Sequence, residues 1–197
     1  MADPIITSVM VAYFDWQQIL LVIVGAVAGF LSILGSSAIC YSILLNSRKI
    51  LQNKLQQVQY RYLLALSLSD ILTSAVFLVW PLPIPQSIPF VFGNHFGNTT
   101  TCSVQGFLLQ LSSIGMFYNG ALCHWFYCTI VKSMTDRHYQ AMGYERRWHI
   151  LAILFPIATG ILAVSTEHMN YTPMGCWVGS HPYGKLTSYL LWYLSIV

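Results

Sequence analysis

The chain has 197 residues, of which 56% are hydrophobic and only 8% charged, and its net charge is +3. Soluble domains carry roughly 25% charged residues, so this composition excludes a soluble globular domain and points to an integral membrane protein. The positive charge is small and confined to short segments, which argues for membrane orientation and against nucleic acid as a partner.

In chain order, Asp3 and Asp15 precede the first apolar run, and no basic segment introduces it. That pattern predicts an uncleaved anchor rather than a removable signal peptide. The first span is predicted at about 19–45, followed by a basic stretch with Arg48, Lys49, Lys54 and Arg61. The second, about 62–82, ends at Trp80-Pro81, and the loop beyond it is extended by Pro83, Pro85 and Pro89. A third span, about 102–131, is less uniformly apolar and is expected to be central and shielded from lipid. A second basic stretch carries Lys132, Arg137, Arg146 and Arg147. The fourth span covers about 148–164 with Pro156 inside it, and a further loop holds Cys176. The last apolar run, about 186–197, reaches only about 18 Å at 1.5 Å per residue. The hydrocarbon core needs about 30 Å, so the expectation is a piece of a longer protein. The predicted fold is all-α, a polytopic transmembrane bundle.

Eight of the nine Lys and Arg residues fall in the two basic stretches. Positive charge concentrates on the cytoplasmic side, so these stretches are predicted inner loops and the N-terminus extracellular. The only two glycosylation triplets, at Asn98 and Asn170, then fall in outer loops. Cys102 and Cys176 are the only cysteines at the outer face, where disulfides persist. They could staple the second outer loop to the top of the third helix, or remain two free thiols; the bridge is the expectation.

Asp70 is the one acidic residue inside a span, so it should face the bundle. Ser36 and Cys123 share its predicted depth, with Asn119 about a turn above. This layer could change protonation or ion occupancy as helices move, or could be a protonated Asp satisfied by Ser hydroxyls. On the third helix Gln110, Ser113 and Phe117 share a face, and Gly106 leaves room there. Gln105, Ser112 and Asn119 form a second polar stripe. Either could meet a ligand entering from outside, or serve interhelical hydrogen bonding. His124 reads as a packing or helix–helix group. Asp136 and Arg137 read as a loop charge pair. Nothing resembles a nucleophile–base pair, a phosphate loop or a metal cluster, so neither catalysis nor a cofactor is expected.

Several short motifs occur in a telling order. They are Gly35-Ser36-Ser37 in the first span and Leu66-Ser67-Leu68-Ser69-Asp70 in the second. Phe126-Tyr127-Cys128-Thr129-Ile130-Val131-Lys132 ends the third, and Leu154-Phe155-Pro156 lies in the fourth. Gly175-Cys176-Trp177-Val178-Gly179 follows in the second outer loop. Together with the outer cysteines they resemble the cAMP-receptor-like branch of G-protein-coupled receptors, which is related to secretin-type receptors. The resemblance implies a seven-helix receptor of which about five helices are present. It also departs from relatives: Asp136-Arg137-His138-Tyr139 is similar to the Asp-Arg-Tyr motif of rhodopsin-like receptors, but Arg137 comes 35 residues after Cys102, beyond the membrane. The short N-terminal tail lacks the hormone-binding domain of secretin receptors.

On this resemblance the chain would transmit an extracellular signal to a heterotrimeric G protein by helix rearrangement in a lipid membrane, most simply the plasma membrane. Trp177 would join Gln105, Gln110, Ser113 and Phe117 around a ligand, expected to be a small molecule. Tyr127, Lys132, Arg137, Arg146 and Arg147 would face the G protein, and Asp70, Ser36 and Asn119 would form an intramembrane switch or ion site. The alternative is an ion-coupled transporter or channel using Asp70; a membrane enzyme is a third, weaker fit.

Overall fold

The structure is a computed structural model that describes residues 4–44, 57–80, 82–83, 97–166, 169–172 and 175–178, with side chains except at 4–18 and 170–175. The chain is mostly helical. Helix α1 covers Pro4–Leu44 and α2 Val58–Leu78. A broken rod follows, made of α3 (Thr99–Leu111), α4 (Ser113–Phe126) and a π-helical turn (Tyr127–Val131). A short α5 (Asp136–Ala141) leads into α6 (Tyr144–Ser165), and two antiparallel strands, β1 (Met169–Thr172) and β2 (Gly175–Val178), form a hairpin. The predicted run at 186–197 lies outside the described residues, as do Arg48, Lys49 and Lys54.

Three helices are long and apolar enough to cross a membrane: Ile19–Leu44 within α1, then α2 and α6. Helix α1 runs antiparallel to α2, whereas α2 and α6 both start at the end where Arg61 meets Glu145, so one end of the bundle carries the hairpin and the other the second basic stretch. Large apolar side chains such as Leu20, Phe30, Leu31, Leu154 and Ile161 are exposed, as lipid-facing residues are. Glycine sets the approach of α1 to α2. A Cβ at Gly29 would lie 3.1 Å from the Ser74 carbonyl oxygen, and one at Gly25 would touch the Trp80 indole at 3.7 Å. Small residues at such positions let helix backbones come together in lipid.

The elements differ from the sequence expectation in four ways. Helix α1 begins some fifteen residues before its apolar window. Helix α2 starts and ends four residues earlier than expected. Its first amide, Val58 N, donates to Asp136 Oδ2 at 3.3 Å, so a remote carboxylate supports its first turn. It stops before Trp80 because Pro81 disfavours helical backbone at the residue before it. The third span is interrupted at Ser112 rather than continuous. Ser112 N and Gly115 N both bond back three residues, to Leu109 O and Ser112 O, and Ser113 Oγ donates to Gln110 O at 2.7 Å. A Ser-Ser pair followed by glycine is a typical kink composition. Finally, the chain is not purely α-helical, because the loop after α6 forms the β1–β2 hairpin.

Candidate functional site

At the hairpin end, α3 is started by a capping box. Asn98 Oδ1 accepts from Thr101 N at 2.8 Å, and Thr101 Oγ1 accepts from Asn98 N at 2.8 Å. Four residues later on the chain, Cys102 is joined to Cys176 in a disulfide, with Cα atoms 5.1 Å apart. The bridge ties β2 to α3 across 74 residues of sequence.

The two glutamines of α3 complete the attachment. Gln105 Nε2 donates to Trp80 O at 2.8 Å, while its Oε1 accepts from Cys176 N at 3.2 Å. One amide therefore fastens the end of α2, α3 and β2 together. Gln110 Nε2 donates to Thr159 Oγ1 on α6 at 3.0 Å, and its Oε1 accepts from Trp177 Nε1 at 3.1 Å. Both glutamines are buried. The room expected beside Gly106 is filled by the hairpin: a Cβ there would lie 2.6 Å from Met169 Sδ and 3.4 Å from Cys176 O. Ser113 is buried with its hydroxyl on Gln110 O, and Phe117 meets the Phe155 ring edge-on at 5.2 Å between centroids. So the residues expected around a ligand do converge, but Gln105, Gln110 and Trp177 spend polar groups on docking the hairpin, and Ser113 spends its hydroxyl on the break in its own rod. Asn170 lies in β1, in register with Trp177.

The expected mid-span polar layer comes together only in part. Ser36 is buried on α1 and Asp70 is half-buried on α2. Asp70 faces the break in the rod: a Cβ added to Gly115 would lie 3.1 Å from Ser69 Oγ and 3.6 Å from Asp70 Oδ1. Asn119 and Cys123 are exposed instead. The break at Ser112 resets the helical phase, so stripes projected along one continuous helix do not persist across it.

The basic end holds the densest polar network, and sequence reasoning missed most of it. Arg61 on α2 grips Glu145 on α6 through both guanidinium edges, Nε to Oε1 at 2.5 Å and Nη2 to Oε2 at 2.7 Å. Bidentate pairs of this kind are the strong class of charge-assisted hydrogen bond. His149, one turn along α6, sits with Nε2 3.7 Å from Glu145 Oε1 and Nδ1 3.0 Å from the Tyr118 hydroxyl. On the other side, Asp136 does not pair with Arg137. Its Oδ1 accepts from Trp125 Nε1 at 2.9 Å while Oδ2 takes the Val58 amide. His124 Nδ1 meets the Tyr139 hydroxyl at 3.0 Å and the Trp148 indole N–H at 3.2 Å, so it joins α4 to α5 and α6, in line with the helix–helix role expected of it.

Between these groups lies Tyr62, fully buried among Val58, Tyr118, Trp125, Cys128 and Tyr139. The neighbouring Tyr139 hydroxyl, which meets His124 Nδ1 at 3.0 Å, keeps lone pairs that can accept from the Tyr62 phenol. Burial pushes the Tyr139 phenol above its ordinary range.

The residues expected at a G-protein face are all exposed: Tyr127, Lys132, Arg137, Arg146 and Arg147. Lys132 lies over the Tyr127 ring at 5.3 Å and Arg147 over Tyr144 at 5.9 Å, which organises two of these cations without neutralising them. Comparison of the chain with protein-family models, curated proteins and solved structures finds no match.

Proposed function

We propose that this chain is a membrane receptor of the G-protein-coupled class, of the cAMP-receptor-like branch, with the hairpin end outside the cell and the basic end facing a heterotrimeric G protein. The observation that carries the reading is the Cys102–Cys176 bridge, which holds the Cys176-Trp177 strand against the start of the third-span helix. That is the arrangement the resemblance in sequence implies. The exposed cations at the opposite end support it, since they offer a charged, water-facing surface to a cytoplasmic partner. A ligand would act by favouring one of two helix packings, with no covalent step.

The test is retention of a heterotrimer. The protein, captured from membranes depleted of guanine nucleotide, should retain Gαβγ of at least one Gα class and release it on addition of a GTP analogue. Reversing Arg137, Arg146 and Arg147 to glutamate should abolish retention. Failure to retain any Gα class, with the Cys102–Cys176 bridge intact, would overturn the reading. The rival, an ion-coupled transporter, draws on Asp70 beside Gly115. It requires sodium or proton flux in proteoliposomes that Asp70→Asn removes, whereas in the receptor reading Asp70→Asn changes the sodium or pH dependence of signalling and leaves surface expression intact.

A further inference from the structure

Glu145, Arg146 and Arg147 stand together in the first turn of α6, and the helix divides them between two faces. Glu145 shares a face with Ala152, Pro156, Thr159 and Ala163, all buried, and it turns inward to Arg61. Arg146 and Arg147 instead come four residues before Ile150 and Leu151, on the side of the helix that leads to Leu154 and Ile161. Those four side chains are 46%, 43%, 60% and 57% exposed, so the two arginines head the lipid-facing face. Helical side chains lean toward the N-terminus. Both guanidinium groups therefore reach away from the hydrocarbon, to the level of the lipid headgroups, while their stems stay over apolar surface.

The charges on this face are uncompensated. Among the described residues neither Arg146 nor Arg147 has a carboxylate partner. The two acids of the stretch are taken elsewhere, Glu145 by Arg61 and Asp136 by Trp125 and Val58. Arg147 is also held in place. It lies over the Tyr144 ring at 5.9 Å, and that ring packs against His124 at 5.2 Å and Tyr139 at 5.4 Å between centroids. A cation on an anchored platform loses little freedom when an anion binds it.

We propose that Arg146 and Arg147 bind the headgroup of an anionic phospholipid whose acyl chains lie along Ile150, Leu151 and Leu154. Two guanidinium groups one residue apart complement a phosphodiester together with a second negative group. The apolar side chains one turn further along complement the chains of the same molecule. A soluble acidic partner would match only the first of these. Arg137 offers the contrast: it is exposed on α5, whose six residues include no exposed large apolar side chain. The lipid site stands apart from the receptor reading, and its test needs no G protein.

The purified full chain, stripped of lipid in detergent, is titrated with dioleoylphosphatidylserine or dioleoylphosphatidylcholine, and bound lipid is read by native mass spectrometry. The parent should prefer phosphatidylserine. Each cation near an anionic lipid contributes about fivefold, so Arg146→Gln and Arg147→Gln should each cut that preference about fivefold and together abolish it. Arg137→Gln removes the same charge from the same end and should change the preference by less than about twofold. Folding of each variant is judged by formation of the Cys102–Cys176 bridge. A double variant that keeps the parent's preference would overturn the site. So would an Arg137→Gln effect as large as that of either single variant, since the attraction would then be diffuse charge. Displacement of the lipid by inorganic phosphate would overturn it in favour of a soluble anion. If the double variant loses heterotrimer retention but keeps its lipid preference, the arginines serve a protein partner and the lipid site falls. Loss of the preference in a protein that retains no heterotrimer would support the lipid site and remove only the receptor reading.

Discussion

Gln110→Leu should loosen the hairpin from the bundle even when no ligand is present. The leucine fills much of the same buried volume but loses two hydrogen bonds, to Thr159 Oγ1 and from Trp177 Nε1. At about 1 kcal/mol each the loss is about 2 kcal/mol. Thr159 suffers little, since its hydroxyl still has the Phe155 and Pro156 carbonyls as acceptors at 2.9 and 3.2 Å. The cost therefore falls mainly on the Trp177 indole, which is left without its acceptor. For a chain of this size such a loss lowers the thermal midpoint by about 4–8 °C. The local readout is hydrogen exchange of the 169–178 segment, followed by mass spectrometry after a reducing quench. That segment stays tethered by Cys176 but should exchange faster throughout its ladder. Thr159→Val supplies the check on mechanism: combined with Gln110→Leu, the two losses should add to less than their sum, since they share one bond. Had Gln110 been reserved for a ligand, the ligand-free protein would be indifferent to its replacement. Unchanged midpoint and exchange in Gln110→Leu would therefore refute the docking role argued for it.

Further outcomes can be stated. Gly160→Ala should destabilise by about 1–3 kcal/mol, because the new methyl would meet two carbons of the Phe107 ring at 2.9 Å. Gly35→Ala, with nothing within 4 Å, should instead be neutral or stabilise by up to about 1 kcal/mol; melting curves of both variants compare them directly. With the hairpin end outside the cell, Asn98 should carry a glycan removable by glycosidase. Thr100→Ala should abolish the glycan without touching the cap, whereas Asn98→Ala also removes the capping bond to Thr101 N, at a cost of about 1 kcal/mol. Tyr139 should confer an alkaline limit. An acid whose pKa rises on folding contributes stability that is complete below its unfolded value, here 10.0, and is lost as pH climbs through the raised one. The thermal midpoint should fall above about pH 10, and Tyr139→Phe should flatten that fall.

Hydropathy made three membrane-length helices legible, because a run of apolar side chains needs no tertiary partner to announce itself. Element boundaries were less legible for the opposite reason. The first turn of α2 is supported by Asp136, 78 residues away, and no local pattern near Val58 could reveal it. The break at Ser112 did have a local sign in Ser112, Ser113 and Gly115, but a polar stretch inside a span reads equally well as a shielded helix. The hairpin was missed because its strands are only four residues each, too short for an alternating pattern to stand out from a loop.

The same limit governs the sites. The outer cysteines were readable because a disulfide has only cysteine for a partner and only two lay at that face. A glutamine amide has no such exclusivity. Gln105 and Gln110 could equally have bonded a ligand, a neighbouring helix or a strand, and the deciding fact is that Trp80 O, Cys176 N, Thr159 Oγ1 and Trp177 Nε1 lie within 3.2 Å of them. Gly106 carries the same ambiguity in reverse, since an absent side chain signals close approach without naming what approaches. At the basic end the charge count pointed to an orientation but drew attention away from the acids. Only Asp136 and Glu145 are acidic among the residues of the two basic stretches, and both bind the first turn of α2, through Val58 and Arg61. In a segment dominated by one sign of charge, the rare opposite charge has the strongest reason to be placed, because it can satisfy a neighbour that the majority cannot. Asking what each minority charge pairs with would have led from Glu145 to the few cations able to face it across the bundle, and Arg61, at the start of the adjacent helix, is among them.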